Sequence, residues 1–370
     1  GVRRGALRPR RDLWRYAPLL PLEEDRVQSR GEGGTPLHRL GRIGSGGRVA
    51  RLKVASLHLK DEGLNPTGTF KARGMAVAVP MAQVLGATSI IAPTAGNAGA
   101  ALALYAATYG LGATIVMTQD APEEAMRDAL AYGAKAIHVG GDITHAGTLA
   151  ADLAAVTGAF NVATLREPYR VEGKKTMLFE IWEDLGDMPD WILFPTGGGT
   201  GIAGIWKALG ELRDLGWYEG AWPRIGLVQA EGCAPLVTAW KQGRETAEPW
   251  PNPQTAAAGL RVPATLADRI VLRAIRETDG AGVVVSEADL AVAAANLAAL
   301  EGVSSCLEGA ATLAGLRRLY DEGVIGPGDH VVLVNTGAWR ETGNKASVEL
   351  PMASGVDDAV AQLGLKPPVS

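Results

Sequence analysis

The sequence has only two cysteines, Cys233 and Cys306, far apart along 370 residues. This excludes a disulfide framework and a cysteine-built zinc site, and it suits a reducing cytoplasm. The five histidines show neither HExxH nor any other ligand spacing, so no metal is expected. No repeat of solenoid length and no low-complexity linker occur. Net charge is small, −4 with a pI near 5.8. It gives no global drive toward nucleic acid or a membrane surface.

Charge is also missing locally. No Asp, Glu, Lys or Arg stands between Arg73 and Asp120. A membrane span would need about 20 apolar residues in a row. Pro80, Gln83, Thr88, Ser89, Pro93, Thr94 and Asn97 interrupt the stretch, so it reads as a buried α/β core. The opposite imbalance marks the first fifteen residues, with Arg3, Arg4, Arg8, Arg10, Arg11 and Arg15. Charge alone would suit a nucleic-acid arm. The Trp14, Tyr16, Pro18 and Pro21 pattern that follows reads instead as chain docking on the body or on a partner subunit. The chain begins at Gly1 rather than at a methionine, which suggests a trimmed amino terminus.

What is present is ordinary in bulk, with 47% hydrophobic and 21% charged residues in a chain long enough for two domains. Glycine is the exception: 48 of 370 residues, about twice the usual share of roughly 7%. Many of these glycines sit where an apolar run gives way to a helical pattern, as a tight turn or a close ligand approach requires.

Apolar runs ending in Gly or Thr alternate with helical patterns. Strands are expected at 89–93, 113–117, 136–139, 191–194, 224–229 and 331–334. Helices are expected at 98–109, 144–156 and 202–212. Another should start at Asp120, with Pro122, Glu123 and Glu124 in its first turn. The piece around Pro249, Pro251 and Pro253 reads as an exposed loop. Such β-α alternation predicts parallel sheets covered by helices on both faces.

Four motifs carry chemistry. In Asn65-Pro66-Thr67-Gly68-Thr69-Phe70-Lys71-Ala72-Arg73-Gly74 a turn precedes one lysine behind an aromatic residue. A lysine desolvated there would have a lowered pKa and an amine free to form a Schiff base. A lone lysine is more often a surface charge. Pro93-Thr94-Ala95-Gly96-Asn97-Ala98-Gly99 lies between a strand and a helix, where backbone N–H groups can face a carboxylate or phosphate. A plain cap and turn is the bland alternative. Pro195-Thr196-Gly197-Gly198-Gly199-Thr200-Gly201 repeats the strand–loop–helix plan and suits a phosphate. It lacks the P-loop lysine and the dinucleotide spacing. Asn335-Thr336-Gly337 presents a neutral hydroxyl at a strand end.

In this order the set resembles the fold-type II pyridoxal 5′-phosphate (PLP) enzymes, the family of threonine synthase, threonine dehydratase and cysteine synthase. Gly31-Glu32-Gly33-Gly34-Thr35-Pro36-Leu37 and Pro168-Tyr169-Arg170-Val171-Glu172-Gly173-Lys174-Lys175-Thr176 look specifically like threonine synthase. The resemblance runs from about Trp14 to Gly337. It implies two doubly wound α/β domains with PLP in the cleft between them. A larger domain would comprise 1–64 and 175–370, and a smaller one 65–174.

The resemblance also implies roles. Lys71 would hold PLP as a Schiff base and act as the acid/base. Asn97 would hydrogen-bond the ring oxygen. Gly197, Gly198, Gly199, Thr200 and Gly201 would take the cofactor phosphate. Thr336 would face the pyridine nitrogen, a neutral partner that suits elimination and replacement better than transamination. Thr94, Ala95 and Gly96 would receive the substrate carboxylate, and Ala98, Arg170 and Glu308 would also line the substrate site. Glu308 serves equally well as a structural residue at a helix entry, and Cys306 reads as a packed small hydrophobe.

The implied activity is a lyase on an amino acid with a leaving group at Cγ or Cβ, foremost O-phosphohomoserine plus water to threonine and phosphate. Three departures keep other readings open: Ala98 stands where threonine synthases commonly have Thr, Thr164-Leu165 where they have Asn-Ser, and Ala72 where they often have Asp. These remove donors for a substrate phosphate, which Arg170 and Lys174 or Lys175 could offset. Ammonia-lyase chemistry on threonine or serine, a replacement reaction of secondary metabolism and a non-catalytic PLP or amino-acid binder are the alternatives. A cytoplasmic homodimer is expected, with no nucleic-acid or membrane partner. The tail after Gly337 is expected to be too short for a regulatory domain.

Overall fold

The computed structural model describes residues 2–45, 52–94, 96–119, 121 and 123–339. The first strand, β1 (Leu37–Arg39), is a short edge strand, and the single turn α1 (Gly41–Gly44) follows. Then come β2 (Ser56–Asp61), α2 (Lys71–Val84), β3 (Ser89–Thr94), α3 (Asn97–Tyr109) and β4 (Gly112–Thr118). The chain continues through α4 (Glu123–Ala131), β5 (Lys135–Val139), α5 (Ile143–Thr157), β6 (Phe160–Asn161) and α6 (Tyr169–Leu185). The remainder is β7 (Trp191–Pro195), α7 (Thr200–Asp214), β8 (Arg224–Ala230), α8 (Pro235–Lys241), α9 (Asp268–Glu277), β9 (Ala281–Val285), α10 (Glu287–Glu301), α11 (Leu307–Asp321) and β10 (His330–Asn335).

Two sheets form. One has the order β5-β4-β3-β6, and all its pairs are parallel. The other has the order β1-β2-β10-β7-β8-β9 and is parallel except for β1, which runs antiparallel to β2 on the edge. The expected parallel α/β class holds. Its core strands are buried on both faces, as Trp191, Ile192, Leu193 and Phe194 in β7 illustrate. Asp120, Pro122 and Ala95 lie outside the described residues.

The glycines of α6 and its neighbours explain how three helices pack. A Cβ on Gly173 would lie 1.9 Å from the Arg73 carbonyl oxygen, and one on Gly204 would lie 3.1 Å from the Lys174 backbone. Backbones of α2, α6 and α7 therefore touch almost directly, and α6 is clamped between the other two. The arginine-rich start docks on this same helix. Arg15 and Tyr16 bond to Glu183 at 2.8 and 2.7 Å, and the Arg4 guanidinium lies 4.4 Å over the Trp182 ring. The arm thus packs on the chain's own body.

Candidate active site

Lys71 is the first residue of α2. The turn before it is unusual, because Thr67 has φ 61° and Gly68 φ 69°. Such a conformation in a non-glycine residue persists only when its surroundings fix it. Three backbone bonds do so. The Phe70 N–H donates to Thr336 O at 3.1 Å, the Ala338 N–H to Gly68 O at 2.9 Å and the Cys306 N–H to Gly337 O at 2.9 Å. The lysine segment is thereby stitched to the end of β10 and the start of α11.

The residue as a whole is half-buried, yet protein surrounds its amine. Burial, and next the Arg170 guanidinium, push the Lys71 ammonium down to about 8, while Glu308 and Cys306 pull the other way. The Lys71 Nζ lies 4.5 Å from the Phe70 ring centroid, and the Lys174 Nζ lies 4.8 Å from the same centroid. Phe70 in turn meets Phe194 edge-on at 5.6 Å. A Cβ on Gly201 would sit 2.1 Å from the Phe194 ring. An aromatic floor therefore runs from the lysine to the glycine loop.

That loop follows β7 and leads into α7. Its glycines are required for different reasons. A Cβ on Gly197 would lie 2.2 Å from Gly259 O, and Gly199 has φ 78° and faces Ala267 and Val271 at 2.7 Å. These positions are fixed by the protein's own packing. At Gly198 the nearest atom to a Cβ would be Thr164 Cγ2 at 3.7 Å, an ordinary contact, so packing does not require glycine at this position. Thr200 begins α7, and its hydroxyl accepts from the Lys174 ammonium.

The other loop follows β3. Thr94 Oγ1 donates to Gly96 O and accepts from Gly96 N–H, both at 3.0 Å, which folds the turn back at the start of α3. Asn97 and Ala98 follow, half-buried. The 66–68 turn packs against α3, bringing this loop beside the lysine segment. Thr336 is buried and its hydroxyl lies 4.0 Å from Cys306 Sγ. Cys306 is not merely packing: its sulfur accepts from the Gly309 N–H at 3.3 Å and caps α11. Glu308 Oε1 accepts from the Gly259 N–H at 2.7 Å. Arg170 is buried in α6, with Nη1 on Val162 O at 2.9 Å. These loops leave the carboxyl ends of parallel strands, where α/β sheets bind ligands.

Sequence reading missed the scaffold beneath. Arg73 is fully buried and doubly bidentate. It meets Glu62 at 2.6 and 2.7 Å and Glu180 at 2.6 and 2.6 Å, with Thr35 and Thr176 hydroxyls also accepting. Lys60 adds an ion pair to Glu180 at 2.9 Å. Asn65 bridges Glu62 and the Gly33 N–H, and Glu32 accepts from the Trp14 indole and the Tyr105 hydroxyl. The conspicuous Gly-Glu-Gly-Gly-Thr and Lys-Ala-Arg-Gly stretches are largely this network. A signal was available, because an arginine in the first turn of a helix that carries no charge after it must find a buried partner.

The residues fit a phosphorylated aldehyde cofactor. They offer a desolvated amine, a glycine loop with one position whose glycine packing does not demand, and two buried cations, Arg170 and Lys174, outside any ion pair among the described residues. The chain belongs to the pyridoxal-phosphate dependent enzymes, whose family description matches residues 28–337. PLP is therefore its cofactor. Among its relatives, the threonine synthase of Methanosarcina acetivorans is 37% identical over 329 residues, covering 88% of this chain and 79% of that one. The threonine synthase of Mycobacterium tuberculosis is 32% identical over 339 residues, covering 90% of each. In fold, the chain is similar to a processed threonine deaminase isoform from Solanum lycopersicum, with a TM-score of 0.71 at 21% identity over 89% of this chain and 90% of that one. No helix among the described residues is long and apolar enough to cross a membrane.

Proposed function

We propose that this enzyme is a PLP-dependent lyase acting as a threonine synthase, releasing phosphate from O-phosphohomoserine and adding water to give threonine. The observation that carries this reading is the surplus of buried positive charge. Lys71, Arg170 and Lys174 converge, burial lowers the pKa of all three, and none forms an ion pair among the described residues. One phosphate, the cofactor's, leaves positive charge over. A substrate bearing a second phosphate uses it, whereas threonine or serine would not.

PLP, when bound, supplies an electron sink for a carbanion at the amino acid's Cα. The chain's own groups do the rest. Lys71, whose ammonium is pushed down to about 8 and so gives up its proton more readily than an ordinary lysine, takes the Cα proton and then serves the Cβ position. Arg170 binds the substrate's leaving phosphate. Backbone N–H groups of the Thr94, Ala95 and Gly96 loop take the carboxylate, Ala98 lies beside the substrate, and the Asn97 amide orients the cofactor ring. Gly197, Gly198, Gly199, Thr200 and Gly201 hold the cofactor phosphate. Thr336 offers the ring nitrogen a neutral hydroxyl. Glu308, with one oxygen spent on Gly259, keeps the other for the substrate amine. In this reading 65–174 form the smaller domain, 1–64 and 175–370 the larger, and the enzyme works as a cytoplasmic homodimer.

The test is product analysis on PLP-loaded protein given O-phosphohomoserine, L-threonine and L-serine separately. Equal amounts of phosphate and threonine are expected, with Lys71→Ala inactive. Keto acid from threonine or serine, without turnover of O-phosphohomoserine, would replace the synthase with an ammonia-lyase.

A further inference from the structure

Helix α6 carries two consecutive lysines, and the structure treats them in opposite ways. Lys175 is fully used. Its ammonium meets Glu172 at 2.6 Å, Glu211 at 2.9 Å and the Leu19 carbonyl at 2.6 Å, one acceptor for each of its three protons. Lys174 has 0% exposure and a single hydrogen-bond partner among the described residues, the Thr200 hydroxyl. No carboxylate among them lies within ion-pair distance. A buried ammonium in that position is normally either paired or expelled.

Its surroundings say what it is kept for. Thr200 is the first residue of the fifteen-residue helix α7, and the loop before it includes Gly198, where a Cβ would meet only ordinary contact with the Thr164 side chain. The ammonium therefore sits beside backbone N–H groups at the positive end of a helix dipole. Both features repel a cation and attract an anion. Burial, and next the charges of Lys71 and Arg170, hold the Lys174 ammonium well below its ordinary pKa, with Glu167 opposing. An anion entering the loop would reverse that.

We infer that Lys174 is the side-chain cation of the cofactor-phosphate site, completing with Thr200 and the 197–201 backbone a cradle that the glycines alone leave without charge. This rests on PLP being the cofactor. It is distinct from the threonine synthase reading, which could fail while Lys174 still held PLP.

The test titrates the full-length apoprotein with PLP and, separately, with pyridoxal, which lacks the phosphate. Absorbance follows binding. In Lys174→Gln and Lys174→Met, PLP affinity should fall at least tenfold, equivalent to about 1.4 kcal/mol. Pyridoxal affinity should stay within twofold of the unsubstituted protein. Lys174→Arg should retain most PLP affinity. Unliganded unfolding midpoints should be unchanged or higher, since a buried unpaired cation has been removed. Unchanged PLP affinity in Lys174→Gln, or equal loss for both ligands, would overturn the inference. So would a marked drop in the unliganded midpoint of both variants, which would make Lys174 structural. Intact PLP affinity with a raised KM for O-phosphohomoserine would move Lys174 to the substrate's phosphate and also overturn it.

Discussion

Arg73→Leu is the sharpest probe of what keeps Lys71 in place. The substitution removes the guanidinium that joins Glu62 to Glu180 but keeps much of its apolar bulk. Of the two carboxylates, 0% and 6% exposed, Glu62 would then lose its cation and Glu180 would keep only Lys60. Breaking a buried ion network from one side costs about 3–5 kcal/mol, because the orphaned charges stay desolvated. With roughly 2.1 cal/mol/K of unfolding entropy per residue over some 340 residues, that corresponds to a fall of about 4–7 °C in unfolding temperature. Thermal unfolding of the cofactor-free protein measures it.

The pH dependence sharpens the prediction. Glu180 is held down to about 2, because Arg73 and Lys60 outweigh burial. A lowered carboxylate contributes stability that is fully present above its unfolded value near 4.3 and is lost as pH falls toward 2. In Arg73→Leu the same carboxylate is poorly paired, and protonation relieves it. The stability gap between the two proteins should therefore narrow as pH drops below about 5. Substituting Glu62→Leu alongside Arg73→Leu removes the carboxylate left without a cation, while Glu180 keeps Lys60, and should recover part of the loss. A loss under 1 kcal/mol at pH 7, with no narrowing in acid, would refute the reasoning.

Other outcomes follow from the same geometry. Only the neutral Lys71 amine is nucleophilic. The rate at which apoprotein takes up PLP should thus climb roughly tenfold between pH 7 and 9, with a midpoint near 8, in stopped-flow absorbance. Gly173→Ala would place a Cβ 1.9 Å from Arg73 O, and should cost upwards of about 3 kcal/mol or block folding. Gly198→Ala has room and should leave unliganded stability within about 0.5 kcal/mol, while weakening PLP binding in the same titration. Asn97 makes no side-chain hydrogen bond among the described residues. Asn97→Ala should leave stability unchanged and cut kcat/KM about 10- to 100-fold, the value of one hydrogen bond to a charged group.

The central strands were legible because each is an apolar run closed by glycine or threonine. Strands β3, β4, β5, β7, β8 and β10 fall within a residue or two of expectation, as do α3, α5 and α7. Strand β2 was not legible. Its sequence, Ser-Leu-His-Leu-Lys-Asp, reads as polar, and only its neighbours explain why Lys60 has 0% exposure and Asp61 is buried. The antiparallel β1 is too short to announce itself. At the site, Lys71, the Asn loop and the glycine loop stood out through local sequence. The Arg73–Glu180 pair did not, because its partners are 107 residues apart and no local pattern joins them. Likewise two adjacent lysines look alike in sequence, and only their acceptors distinguish Lys174 from Lys175.

The clamping of α6 between α2 and α7 has a consequence for how this enzyme can change. One rod carries Arg170, Lys174 and Glu180, and its glycine contacts leave it no freedom to slide past either neighbour. A drift of α6 would displace Arg170, Lys174 and Glu180 together. New specificity is therefore easiest to acquire by exchanging residues around a fixed rod, as at Thr164, Leu165 and Ala98. Alterations inside the rod would have to satisfy three requirements at once.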